Sequence, residues 1–337
     1  MLLLVNVYIT VDTECSLGGA WEDPQVEPVP PDRAILGRIG SKLYGAPLIM
    51  DILEEHDLRA TFFTEVLAHD VVDPSELAEA YASIKKRGHD PQLHLHPVFH
   101  FYHLVTQGMM SREQLPPQMD LIGGLPFAMQ LDLLKKGCSI FRDIFGSMPT
   151  AFRAGCYGAS MSTLEALEKI GIFYDSSFNA AYLDSSCLMG PRKPTNMPWK
   201  SGKVWELPVT TFETGAWRPR SLKPLEVSAV SLMELQQVLT QAEKLGQHTV
   251  IVILHSFSFL KRKDVQFRGL QPDRLVIRRF RKFCAFLREQ RSRFRVSTFS
   301  EIGRLLVDPT EVPLPKMGIV IPGFRKIVQA VNRVPWI

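Results

Sequence analysis

The chain has no run of about 18 consecutive apolar residues, so its sequence offers no membrane-spanning helix. Cysteine is sparse: Cys15, Cys138, Cys156, Cys187 and Cys284 are five in 337 residues, scattered and without CxxC spacing. An odd, dispersed set argues against a disulfide framework and predicts reduced thiols in a cytoplasmic chain. Charge of one sign is also lacking. The formal net charge of +4 gives no basis for nucleic-acid binding, which needs a strongly basic face. Internal repeats and low-complexity tracts are absent. The opening MLLLVNVYITVD lacks a basic leading region and a small-residue cleavage site, and Asp12 follows at once. It is expected to be a buried first strand and not a signal peptide.

What is present is ordinary globular material: 45% hydrophobic and 22% charged residues, enough apolar mass for a large core. Residues 2–11 suit a parallel strand buried on both faces. A Gly-, Pro- and charge-rich segment, 17–43, reads as a long loop. Helical patterns follow at 45–56 and 74–87, the second with Asp73 as N-cap and Pro74 at its first position. Leu58–Phe63 is β-like, and a strand follows Gly88. Residues 97–125 read as a second long loop, then a helix at 127–145 and a strand at 149–153. Helices at 161–170, 231–245, 273–290 and 299–307 alternate with strands at 172–174, 204–209, 248–254 and 295–298. Strands alternating with helices predict βαβ units and a distorted, TIM-like (β/α) barrel of seven or eight parallel strands. Pro309, Pro313 and Pro315 mark a boundary: the barrel is expected over 1–308 and a separate tail over 309–337. The Arg- and Lys-rich stretch 274–295 has helical apolar spacing and reads as a solvated outer helix.

The segment Gly88–Pro97, GHDPQLHLHP, carries the chemistry. Residues i and i+2 of a strand share a face, so His94 and His96 present two imidazoles side by side. Two imidazoles and one carboxylate make a common divalent-metal site with room for water. Asp12 and Glu14, two apart at the end of the first strand, offer the carboxylate. His100 is a rival ligand. Strand C-termini are where chemistry sits in α/β barrels, and Arg153, Asp175 and His255 fall at further strand ends.

This set resembles the polysaccharide deacetylases of the NodB-homology type, carbohydrate esterase family four, from about Val7 to Ile302. VDTE at 11–14, ATFF at 60–63, GHDPQLHLHP, FRAG at 152–155, YDSS at 174–177, ELPV at 206–209 and ILH at 253–255 carry the likeness. The resemblance implies Asp12 as base, Glu14, His94 and His96 as ligands of a divalent cation, Arg153 as partner of the base, and His255 as general acid. Zinc is the expected metal, with cobalt or nickel as alternatives. Three departures stand out. A Thr separates the two acids, the histidines are two apart where the family has a longer gap, and the segment after Arg153 is one residue longer. The second histidine ligand therefore stays open between His96 and His100, and the oxyanion amide between Cys156 and Tyr157. Asp175 is expected to orient His255 or to cap a loop. Trp217 and the aromatics Trp21, Phe99, Phe101, Tyr102 and Tyr182 are candidates for stacking on sugar faces.

The expected activity is hydrolysis of an N-acetyl or O-acetyl group on a saccharide. An amidase or esterase on a non-sugar substrate and a catalytically silent glycan-binding relic are the alternatives. The partner is an acetylated saccharide; the tail leaves room for peripheral membrane contact or an oligomer.

Overall fold

The computed structural model describes residues 4–183, 185–190, 193–215, 221–303 and 312–317. Among these residues, nine strands form one sheet. They are β1 (Val5–Thr13), β2 (Thr61–Glu65), β3 (Asp90–Leu95), β4 (Ala151–Ala154), β5 (Tyr174–Asp175), β6 (Trp199–Ser201), β7 (Val204–Glu206), β8 (Thr249–His255) and β9 (Phe294–Val296). Their order is β8-β1-β2-β3-β4-β5-β7-β6, with β9 also on β1. Every pairing is parallel except β6 with β7. The result is the expected distorted barrel with eight parallel strands and one antiparallel edge strand.

β1 is the centre of the sheet because it can be buried on both sides: only Asn6 of its nine residues is not fully buried. It pairs along its length with β8, and on the other side with β9 at its start and β2 at its end. The barrel closes irregularly between β7 and β8. There Ile253 exchanges hydrogen bonds of 3.0 Å with Leu225 and Val227, and the Thr210 hydroxyl accepts from the Ile251 N–H at 2.8 Å.

The helices pack outside: α1 (Ala46–Glu54), α2 (Pro74–Lys86), α3 (Pro97–Thr106), α4 (Phe127–Phe145), α5 (Met161–Ile170), α6 (Leu232–Leu245) and α7 (Arg274–Glu289). The Asp73 carboxylate caps α2 by accepting from the N–H groups of Ser75 and Glu76. Helix α7 buries Val276, Phe280, Phe283, Cys284 and Leu287 and turns its cations outward; Leu275 is exposed. All five cysteines are unpaired.

Two expectations differ from the structure. The segment 97–125 is not a continuous loop, because it begins with α3. Pro97 occupies the first helical position, and no glycine interrupts the run before Gly108. Phe101 is thereby buried in the core, while Phe99, also buried, lines the cavity beside Glu14 and His96. The terminal helix expected at 299–307 is only a single 3-10 turn over Phe299–Glu301; 304–311 lie outside the described residues. Of the tail, only 312–317 are described, and Lys316–Met317 pairs with the strand Thr211–Thr214. Among the described residues no helix is long and apolar enough to cross a membrane.

Candidate metal centre

Register places the candidate site residues at one end of the sheet. Asp12 lies opposite His255 on β8, and His94 lies opposite Arg153 on β4. His94 is the last residue but one of β3, and His96 is the N-cap of α3. The two imidazoles stand edge to face, with centroids 5.0 Å apart.

The Glu14 carboxylate meets both rings. Its Oε2 lies 3.2 Å from His94 Nε2 and 2.9 Å from His96 Nε2. The far nitrogen of each ring is committed elsewhere. His94 Nδ1 is 2.8 Å from the Arg153 carbonyl oxygen, which can only accept, so Nδ1 carries the proton. His96 Nδ1 is 2.8 Å from Asp120 Oδ2. Both Nε2 atoms therefore converge on one carboxylate oxygen, the arrangement that carboxylate–histidine–metal sites use once the rings are neutral. Burial alone would lower the His96 pKa, but Asp120 and Glu14 outweigh it and hold it well above the usual value. Burial alone would raise Glu14, but His96 and His94 hold it well below its usual value. The donor set fits one divalent cation held by Glu14, His94 and His96.

Asp120 and Gly155 were not foreseen from the sequence. Asp120 comes from a loop tied to the turn after β4 by the Gly123 N–H, which donates to the Gly158 carbonyl at 2.7 Å. Its Oδ1 accepts from the Val98 N–H at 3.2 Å. A Cβ at Gly155 would lie 2.5 Å from His96 Nδ1, so only glycine lets that ring in. Glu65, at the end of β2, accepts from the Leu67 and Ala68 N–H groups at 2.8 Å and from the His96 N–H at 3.4 Å. Burial pushes its carboxyl up to about 8 against these donors.

Beside the cluster, Arg153 is fully buried and its Nη1 donates to Asp12 Oδ1 at 2.6 Å. The same guanidinium donates to Thr10 Oγ1 and to the Ser176 carbonyl and hydroxyl, each at 3.0 Å. It lies over the Phe63 ring, 4.3 Å from the centroid. The His255 ring stacks on Phe257 at 5.1 Å, and its backbone N–H donates to Ser258 Oγ at 2.8 Å.

The remaining candidates are placed as follows. His100 lies outside the cluster on α3, with Nδ1 3.3 Å from Lys136 Nζ, and burial and that cation lower its pKa. Asp175 is fully buried, accepts from Ser177 Oγ at 2.7 Å and shares a side-chain hydrogen bond with Glu206. No hydrogen bond joins it to His255 among the described residues. Cys156 and Tyr157 form the turn after β4 at φ 52° and 59°, a left-handed conformation uncommon outside glycine. The Cys156 Sγ is 3.5 Å from Asp120 Oδ2, and the Tyr157 ring stacks on Tyr182 at 5.6 Å. Trp21 packs edge-on against Tyr102 at 5.4 Å. Trp217 lies outside the described residues.

Two cavities flank the site. One, of about 370 Å³, is lined by Glu14, His96, Asp120, Trp21, Phe257 and Arg262. The other, of about 300 Å³, is lined by His255, Phe257, Arg262, Glu226 and Arg279.

No protein-family profile matches the chain, and no curated protein matches it. Solved structures do. One, assigned as a polysaccharide deacetylase from Mycobacterium smegmatis, superposes with a TM-score of 0.53 at 18% identity, covering 92% of this chain and 96% of that one. A second, the Puue allantoinase, gives 0.51 at 10% identity, covering 89% of each chain. The chain therefore shares with these two proteins its fold, a distorted (β/α) barrel.

Proposed function

We propose that the chain is a metal-dependent hydrolase that removes an acetyl group from a saccharide, with an N-acetyl amide as the first candidate. The observation that carries this reading is the convergence of Glu14 Oε2 with the Nε2 atoms of His94 and His96 at the C-terminal end of the sheet. Asp12–Arg153 and His255 stand on the neighbouring strands. A divalent cation bound there supplies Lewis acidity, polarising an acyl carbonyl and acidifying water.

The chain's own residues divide the remaining work. Arg153 engages one oxygen of Asp12, so the other is left to accept a proton. Arg153 cannot drift, because three further hydrogen bonds and the Phe63 ring hold its plane. His255, oriented by its stack on Phe257, donates a proton to the leaving amine. The turn at Cys156 and Tyr157 presents backbone amides beside the site for a developing oxyanion. The fold shared with a polysaccharide deacetylase supports the saccharide reading.

The test is acetate release from acetylated oligosaccharides by the purified chain, with metal content measured in parallel. Activity should vanish in a chelator and return with zinc or cobalt. Full activity in the chelator, or no metal bound by the folded protein, would rule the mechanism out. One observation favours a second reading, an amidase on a non-sugar substrate: the same fold serves an allantoinase. Hydrolysis of small amides without acetate release from any sugar would select it.

A further inference from the structure

The two cavities share a wall made of Phe257 and Arg262. Arg262 Cζ lies 4.8 Å from the Phe257 ring centroid and 4.6 Å from that of Phe267. Both distances are in the range of cation–π contact. The two rings meet nearly at right angles, with centroids 5.5 Å apart, so the guanidinium sits in the corner they form and leaves its N–H donors unused. No hydrogen bond or ion pair satisfies those donors among the described residues. Three acids line the larger cavity: Glu14 and Asp120 face His96, with the Glu14 charge also acting on Arg262, and Glu22 makes no hydrogen bond or ion pair to Arg262.

The loop carrying Arg262 is fixed over the site. It follows the two-residue strand Leu260–Lys261, which pairs with Gln271–Pro272. Downstream, the buried Gln266 donates from Nε2 to the Gly18 carbonyl at 2.6 Å and to the Glu27 carbonyl at 3.1 Å. Arg33 Nη1 donates to the Gln266 carbonyl at 2.7 Å. Phe257, which contacts Arg262, also stacks on His255. The cation is therefore coupled by contact to the imidazole that would meet the leaving group.

We propose that Arg262 is a specificity-determining residue that receives a negatively charged group, a carboxylate or phosphate, on the acylated substrate. This rests on the reading of Glu14, His94, His96 and His255 as the hydrolytic site, and it narrows the substrate class to anionic acetylated compounds. A guanidinium with free donors, seated against two rings, suits bidentate recognition of an oxyanion, which a flexible ammonium would serve less well.

The experiment is calorimetric binding to the full chain, using pairs of probes in which one member carries an added anionic group and the other is neutral. The pairs are N-acetylmuramic acid against N-acetylglucosamine, N-acetylglucosamine 6-phosphate against N-acetylglucosamine, and N-acetylglycine against N-acetylglycinamide. Wild-type protein should bind the anionic member of at least one pair about 10- to 100-fold more tightly, the range of one charge-assisted hydrogen-bonded contact. Arg262→Met should erase the preference and leave the neutral member unchanged, and Arg262→Lys should keep part of it. The side chain is exposed, so the variants should fold, as circular dichroism would check. The two sugar pairs separate a carboxylate from a phosphate. A preference confined to N-acetylglycine, with no acetate released from any sugar, would keep the Arg262 assignment and sink the saccharide reading. The assignment falls if wild-type protein shows no anionic preference or binds no probe. It also falls if Arg262→Met keeps the preference or weakens both members equally.

Discussion

Asp120 Oδ2 lies 2.8 Å from His96 Nδ1, so a loop carboxylate fixes the ring whose other nitrogen faces Glu14. This contact orients the imidazole and raises its basicity. Asp120→Asn should therefore bind zinc about 10- to 100-fold more weakly. Competition against a chromophoric chelator would measure it, and an unchanged affinity would remove Asp120 from the metal centre.

Gly155 tests the same ring sterically. An alanine Cβ there would lie 2.5 Å from His96 Nδ1. Gly155→Ala should displace the ring, weaken zinc binding and cost on the order of 1–3 kcal/mol of stability from overpacking. Chelator competition and urea unfolding would each register the change.

Arg153 and Asp12 form a buried pair at 2.6 Å. Replacing Arg153 by Met leaves the Asp12 charge without its partner and should cost about 3–5 kcal/mol. Arg153→Lys should recover only part of this, because one ammonium cannot also reach Ser176 and Thr10. Urea midpoints of the three proteins give the comparison.

His255→Asn and Asp12→Asn should each lower kcat by about 10²- to 10⁴-fold if they transfer protons. Zinc content should stay at the wild-type level in both. Loss of metal together with activity would assign them to binding instead.

Glu206 sits in register with Asp175, and both are fully buried. Burial and the Asp175 charge hold the Glu206 carboxyl well above its usual range. Its Oε1 accepts from the Phe178 N–H at 2.9 Å, and Oε2 has no hydrogen-bond partner unless it carries the proton shared with Asp175. The folded state thus keeps a proton that the unfolded chain releases near ordinary carboxylate pH. This contribution to stability is complete at acid pH and disappears as pH rises through the folded-state value. Glu206→Gln should flatten the alkaline fall, because an amide donates to Asp175 at every pH. Unfolding series from pH 6 to pH 9 would show two parallel curves if the pair were not sharing a proton.

Much of the fold was legible in the sequence. The all-apolar β1 announces a strand buried on both faces, and Asp73-Pro74 marks a helix start by local chemistry alone. The segment 97–125 was read less well, because its Met- and Pro-rich second half obscured the α3 signal that begins at Pro97. The candidate site residues followed the same division. Glu14, His94 and His96 could be singled out because strand alternation is a local rule. Asp120 could not, since nothing in PPQMDLIGG indicates that its loop lies against the turn at 155–158.

The sequence by itself determined which residues end the strands, because β periodicity and parallel burial are written in near neighbours. It could not decide between His96 and His100, whether Asp175 orients His255 or caps a loop, or that Arg262 packs against two phenylalanines. Those are relations among side chains distant in the chain. Only the closing of the sheet and the packing of its loops bring them within hydrogen-bonding and stacking distance, where burial and charge can act.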